Sequence, residues 1–480
     1  MLREFGENDY FCGTDGARSQ DQKDLLNVNV AEMKKLLFAS MMLAGILACS
    51  EKTDSDDKPI DNTLQNEVPQ PTAQIAKVQL TEEEAWYVKA GNSVAFKLFQ
   101  RLGKEGKSFI FSPLSLQFAL AMTANGASGA ALDEIVAALG YGEEGIDALN
   151  AYSKKMMEQL PAIDFGVKLQ LANGLVVNEL YPLDPDFREG VRSNYYAAVE
   201  NMSFADPGKV ADAVNGWAYR NTSGLIDKML DPQQISPQAI AYLMNALYFK
   251  AAWQRVFGDP LFLPDGTWEE DFYLGGCDVT RVPMMHTQRW LRYARMDGFS
   301  VLEIPYADGK FAMYILLPDN EITGDRPDPD PATENYYTYD NLLKDFPDLD
   351  WNEVLARLKG REVILSLPKF ETASDFDLNE TLEALGIKTA FKGGMDRMFA
   401  PKNGRVVEAL ISKVIQKARI AVAEWGTEAA AVTVVEIMPT SPGPGEDLPA
   451  VMFTCDHSFA WLITEKTSGA ILFEGAYRGL

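Results

Sequence analysis

Behind Thr81-x-x-Glu84, a capping box, apolar residues Val94, Leu98 and Leu102, with Ala95 and Phe99 beside them, recur at helical spacing. Folded structure is therefore expected to start at Thr81. FALAMTANGASGAALDEIVAALG (Phe118 to Gly140) predicts two helices around a glycine-containing turn, and AVNGWAYRNTSGLIDKML (Ala213 to Leu230) a helix ending near Gly224. KFAMYILLP (Lys310 to Pro318), REVILSLPKF (Arg361 to Phe370) and AILFEGAYRG (Ala470 to Gly479) are β-branched or aromatic runs closed by Pro or Gly, and read as strands. Helices dominate early and strands late, without regular alternation, so the class is α+β and not a doubly wound sheet. The stretch Asp319 to Trp351, which carries GDRPDPDPATENYYTYD, reads as an exposed insertion.

One segment fits neither description. In EWGTEAAAVTVVEIMPTSPGPG (Glu424 to Gly445), Thr427, Ala429, Ala431, Thr433, Val435 and Ile437 share one parity and carry no charge, while Glu428 and Glu436 fall on the other. As a strand this run buries a small uncharged face and leaves both carboxylates in water. Yet Pro442 to Gly445, directly behind it, belong to an exposed loop. The segment is written for two states, loop and strand, and its smallest residues lie nearest Gly426, where a strand would first slide between packed neighbours.

The 480 residues are 47% apolar, enough for a substantial core. Lys and Arg total 44 against 69 Asp and Glu, and a net charge of −25 repels phosphate backbones and anionic lipid, which excludes nucleic acid as a partner class. The four cysteines, Cys12, Cys49, Cys277 and Cys455, are too far apart for a zinc pattern. Met33-Lys34-Lys35, the apolar run Leu36 to Ala48 and then Cys49 describe a lipoprotein signal, with Ile46 to Cys49 resembling a lipobox. The implied organisation is an over-extended start (1–32), a signal (33–48), lipidated Cys49 with a disordered acidic and Pro-containing linker (49–80), and one domain (81–480). The expected location is a bacterial envelope, at the outer membrane or cell surface, with the membrane reached only through the lipid anchor.

Enzyme chemistry finds little material. There are two histidines, His286 and His457, no HExxH and no GxSxG elbow; Ser128 in GASGA is one glycine short. GKEGKS (Gly103 to Ser108) has the wrong glycine spacing for a phosphate loop and reads as a helix end, and His457 in CDHSF reads as structural. No metal or cofactor site is expected.

EWGTEAAAVTVV resembles the reactive-loop hinge of serpins, and FIFSPLSL (Phe109 to Leu116), NGWAYRNTSGLI (Asn215 to Ile226), NALYFKAAW (Asn245 to Trp253), VPMM (Val282 to Met285), LPKF (Leu367 to Phe370), DHSFAWLI (Asp456 to Ile463) and GAILFEGAY (Gly469 to Tyr477) resemble serpin signatures in the same order. The resemblance implies helices around a large central β-sheet, an exposed reactive-centre loop, and a monomer that traps a target serine protease, and in some cases cysteine proteases, as a covalent acyl-enzyme when the cut loop inserts. It places the reactive bond at Thr440-Ser441, after Pro439, suiting an elastase-like enzyme, with Met438 an alternative cut. The hinge is Glu424, Gly426, Thr427, Glu428, Ala429, Ala430 and Ala431. Ser112, Ser115 and Asn245 match positions controlling sheet opening, and Trp253 the tryptophan beneath the hinge. Gln416 replaces a histidine common there, which implies a rearranged network, and Trp425 replaces a polar residue, which implies slower hinge insertion or packing on the sheet top. The alternative is a non-inhibitory serpin acting as a binding or chaperone-like module.

Overall fold

The computed structural model describes residues 64–65, 69–141, 145–255, 258–275, 278–319, 337–402, 404–427 and 448–479. The predicted helices form where the capping chemistry is strongest. Thr81 and Glu84 close both halves of the capping box on α1 (Glu82–Leu102). Ser112 caps α2 (Pro113–Ala124), whose Pro113 occupies the first turn, where a missing N–H costs nothing. The glycine turn separates α2 from α3 (Gly129–Ala138), followed by α4 (Gly145–Gln159) and α5 (Pro185–Tyr195). The helix expected to end near Gly224 is α6 (Pro207–Asn221).

Strands assemble two sheets. The larger runs β1 (Phe109–Phe111), β15 (Ile471–Tyr477), β14 (Phe459–Glu465), β8 (Phe311–Pro318), β7 (Phe299–Tyr306), β6 (Asp278–Arg295), β9 (Lys359–Pro368), β13 (Val451–Thr454), with β5 (Thr267–Gly275) on β6. β8 and β14 are buried along their whole length, so their continuous apolar runs need no polar alternation. The second sheet orders β10 (Phe370–Asp377), β11 (Ile415–Ala423), β12 (Gly426–Thr427), β4 (Ala241–Ala252), β2 (Val167–Asn178) and β3 (Ala198–Met202). One face of it rests on the main core. The other carries α6, whose Trp217 packs with Val176, Met244 and Ala246 in a separate cluster.

Two expectations need correction. Ordered packing begins before Thr81: Val78 is buried, the Ile75 amide donates to Ala162 O at 2.9 Å, and Leu64 is 1% exposed within the α6 cluster, its carbonyl accepting from Arg220 Nη2 at 2.9 Å. A polar segment can dock through single apolar residues when the receiving groove already exists, and composition does not reveal that groove. Nor is Asp319 to Trp351 all exposed insertion. Its second half forms α7 (Tyr339–Asp345) and the start of α8 (Trp351–Arg357), and Phe346 is fully buried, stacked on Phe99 at 4.0 Å.

Candidate functional site

The site lies in the six-stranded sheet, around β12 and its neighbours β4 and β11. The described residues of β12 are antiparallel to both neighbours: Gly426 faces Ala252 and Ala423, and Thr427 faces Ala251 and Val422. Below Thr427, the facing edges of β4 and β11 pair with no other described strand. The sheet is mixed, β2 and β3 being parallel, and among the described residues Gly426 and Thr427 are what joins β4 to β11.

Local chemistry fixes the top of this slit. Gly426 has φ 144°, and a Cβ there would lie 2.1 Å from Ala251 O, so no other residue fits. Trp253 Nε1 donates to Ala423 O at 2.8 Å, its backbone N–H donates to Trp425 O at 3.1 Å, and its indole stacks on Tyr306 at 4.5 Å and 12°. Tyr306 in turn shares a hydrogen bond with the Thr427 hydroxyl, and burial pushes its phenol above the usual range, partly offset by that hydroxyl. Glu424 is buried beside Lys369 Nζ (3.1 Å) and accepts from Thr267 Oγ1 (2.9 Å). Burial raises its pKa, but a backbone hydrogen bond, Lys369 and Thr267 reverse the effect and hold the carboxyl below its ordinary value. Trp425 is 41% exposed beside Trp253 and Arg255, so its ring does not lie under the sheet.

Halfway down the slit stand the residues matched to sheet opening. Gln416 grips Ser112 with both ends of its amide: Oε1 accepts from Ser112 N at 2.8 Å and Nε2 donates to Ser112 O at 2.9 Å. A single imidazole nitrogen cannot do both, so the amide makes a closed pair. Ser112 Oγ donates to Leu472 O (2.7 Å) and accepts from Ser115 N (3.3 Å). Asn245 is not part of this group. Its Nδ2 donates to Asn173 Oδ1 at 2.6 Å, while its Oδ1 is buried without a partner. Asn245 and Gln416 close the upper end of a cavity lined by Leu116, Leu120, Leu243 and Val414 at the foot of the slit.

The structure therefore gathers Ser112, Ser115 and Gln416 at one wall, Asn245 at the other, and Trp253, Glu424, Gly426 and Thr427 at the top. Glu428 to Ala431, the Thr440-Ser441 bond, Met438 and Cys49 lie outside the described residues. Sequence reading missed the roles of Tyr306, Lys369 and Thr267, which contact Thr427 or Glu424 from other strands or loops; Lys369 lies in the LPKF signature, while nothing in the local sequence marks Tyr306 or Thr267. His457 bridges Asp456 Oδ1 (2.7 Å) and Pro318 O (3.0 Å), a buried structural contact.

The Serpin (serine protease inhibitor) family model matches residues 89–479. Serpin-Z2A of Triticum aestivum is 32% identical over 373 residues, 76% of this chain and 88% of the wheat protein. Iripin-2 of Ixodes ricinus is 30% identical over 403 residues, 82% and 94% of the two chains. The crystal structure of a thermophilic serpin, tengpin, in the native state has a TM-score of 0.68 and 26% identity, covering 87% of this chain and 100% of that one. An α+β fold in which helices surround two sheets, with Gly426 and Thr427 joining β4 to β11, defines the class; the chain belongs to the serpin family.

Proposed function

We propose that this protein is an irreversible suicide-substrate inhibitor of serine endopeptidases with elastase-like preference. The observation that supports the reading is the pairing of Gly426 and Thr427 between β4 and β11, directly ahead of the small-residue run Ala429 to Val432 in the sequence. The target's serine oxygen attacks the Thr440 carbonyl carbon, the Thr440-Ser441 bond breaks, the Ser441 amine leaves with the departing proton, and an ester joins Thr440 to the enzyme. Water would normally hydrolyse that ester. Here the freed hinge inserts as a full strand and carries the enzyme with it before hydrolysis. About a dozen new backbone hydrogen bonds at roughly 1 kcal/mol net each make the step effectively irreversible. The small uncharged parity of Thr427, Ala429 and Ala431 favours this over the non-inhibitory reading, because nothing bulky or charged obstructs the start of insertion.

Mixing the protein with an elastase-like protease tests it. The expected result is a complex that survives denaturing electrophoresis and a released peptide that begins at Ser441. Loop cleavage without complex across several protease classes sinks the reading. We also propose that Cys49 is lipidated and tethers the inhibitor to a bacterial envelope, facing outward; labelled palmitate should be incorporated by the wild type and lost in Cys49→Ala.

A further inference from the structure

The chain from Arg405 to Ser412 has the burial pattern of a strand but is not paired as one. Val407, Ala409 and Ile411 are buried, while Val406, Glu408, Leu410 and Ser412 are exposed. At its start Lys402 and Arg405 exchange both backbone hydrogen bonds, at 2.9 and 3.0 Å, and at its end the chain runs on into β11 at Ile415. One edge of the stretch is held. Ala409 O accepts from Met395 N at 3.2 Å, and Ile411 N donates to Ala390 O at 2.8 Å. On the other edge Asn379 serves the last residues, its Nδ2 donating to Ser412 O at 3.0 Å and its Oδ1 accepting from Val414 N at 2.9 Å. Among the described residues, no hydrogen bond reaches the backbone of Val406, Glu408 or Leu410. Such an edge is a template for another strand, and no proline or inward-pointing charge blunts it between Arg405 and Ser412.

Beside this edge lies a groove of about 490 Å³ lined by Tyr181, Lys402 and the chain from Arg405 to Glu408. Aliphatic side chains stand open around it: Leu180 and Val406 are 57% and 61% exposed, and Leu410, two residues past Glu408 on the same face, is exposed too. Lys402 Nζ donates to Leu180 O at 2.8 Å and lies 5.2 Å from the centre of the Tyr181 ring. Neither Lys402 nor Arg405 is in an ion pair among the described residues, and nor is Glu408 at the groove's far end. In a chain of net charge −25, two unpaired cations side by side form a place where an acidic partner is attracted and not repelled.

We propose that this groove and edge bind an extended acidic segment of a partner protein by strand addition. The segment pairs with the backbone of Val406, Glu408 and Leu410, sets a carboxylate against Lys402 and Arg405, and lays apolar side chains on Val406 and Leu410. A polyphosphate or sulfated glycan would use the two cations but leave the edge and the aliphatic side chains idle. The site lies at the opposite end of β11 from the hinge pairing of Val422 and Ala423, and it does not depend on the inhibitory reading.

The test uses the full chain and a fluorescein-labelled synthetic peptide, Asp-Asp-Val-Thr-Val-Thr-Val-Asp-Asp, whose acidic ends allow either strand direction, with binding read by anisotropy. Amide hydrogen exchange at Val406, Glu408 and Leu410 should slow when the peptide binds. Arg405→Glu should weaken the peptide severalfold, and the same peptide with lysine for aspartate should bind that variant better than it binds the wild type. N-methylating one alternate set of peptide residues should abolish binding while methylating the other set leaves it largely intact, because successive amides of a strand face opposite edges. The methylated peptides leave the protein unaltered, so misfolding of a variant does not enter the comparison. Absence of binding, equal effects of the two methylated sets, no charge-swap rescue, or full competition by polyphosphate with no change in exchange at the edge overturns the proposal.

Discussion

At Gly426 a single hydrogen atom in place of a side chain lets the hinge cross the top of β4. Gly426→Ala places a methyl group against the Ala251 carbonyl in a left-handed conformation, at a local cost of more than about 2 kcal/mol. Faster hydrogen exchange at the Thr427 amide, with the rest of the sheet unchanged, is the expected signature. Glu474, in β15, presents the opposite problem. It is fully buried between Phe111 and Leu462, and neither carboxyl oxygen has a hydrogen-bond partner. Burial pushes its pKa well above the ordinary 4.5. A raised folded-state value means the folded protein holds a proton that the unfolded chain releases, so this stability is complete below pH 4.5 and declines as pH rises toward the folded value. Glu474→Gln removes the titration; its Tm should fall less than that of the wild type between about pH 5 and 8, and an identical pH dependence in both proteins contradicts the assignment. The FEGAY motif does not reveal this, because alternation in a strand buried on both faces does not separate inside from outside.

Elements that depend on their own sequence were legible. The Thr81 capping box, the SPLS start of α2, the glycine turn before α3 and the apolar strands β8, β9 and β15 all formed where their local chemistry predicts. The hinge reading rests on local patterns too, the two-residue period of Thr427 to Ile437 and the Pro/Gly run behind it, and beyond Thr427 it falls outside the described residues. Its consequence is an element-scale prediction: on the proposed insertion, with the register of Gly426 and Thr427 continued, Ala431→Arg would set a guanidinium on the inward face against Leu247 and Ala418, both buried. Burying an unpaired charge there costs several kcal/mol. Cleavage of the loop should continue at a similar rate while covalent complex largely disappears. Ala430→Arg, on the outward parity, should retain most of the complex; equal loss in both variants contradicts the parity. By contrast α7, α8 and the docking of Leu64 escaped a reading by composition, because their burial is set by partners far away, Phe99 and the α6 cluster.

For the molecule as a whole, the proposed insertion would add a strand's hydrogen bonds to the six-stranded sheet. Supplying about a dozen strand bonds at roughly 1 kcal/mol each to a domain of about 400 residues raises Tm by on the order of 10 °C after the loop is cut. Calorimetry before and after limited proteolysis within the loop measures it; an unchanged or lowered Tm means that the cut loop stays out. The sequence by itself determined the α+β class, the family resemblance and the elements marked by caps, glycine turns or apolar runs, because capping, periodicity and turn chemistry act within about ten residues of chain. Only the tertiary structure decided that Gln416 closes on Ser112 while Asn245 turns to Asn173, that Trp253, Tyr306 and Thr427 meet, and that Lys168 faces Lys250. Those contacts join residues up to some three hundred positions apart, and strand order and register across two sheets, which fix them, are not written in any local pattern.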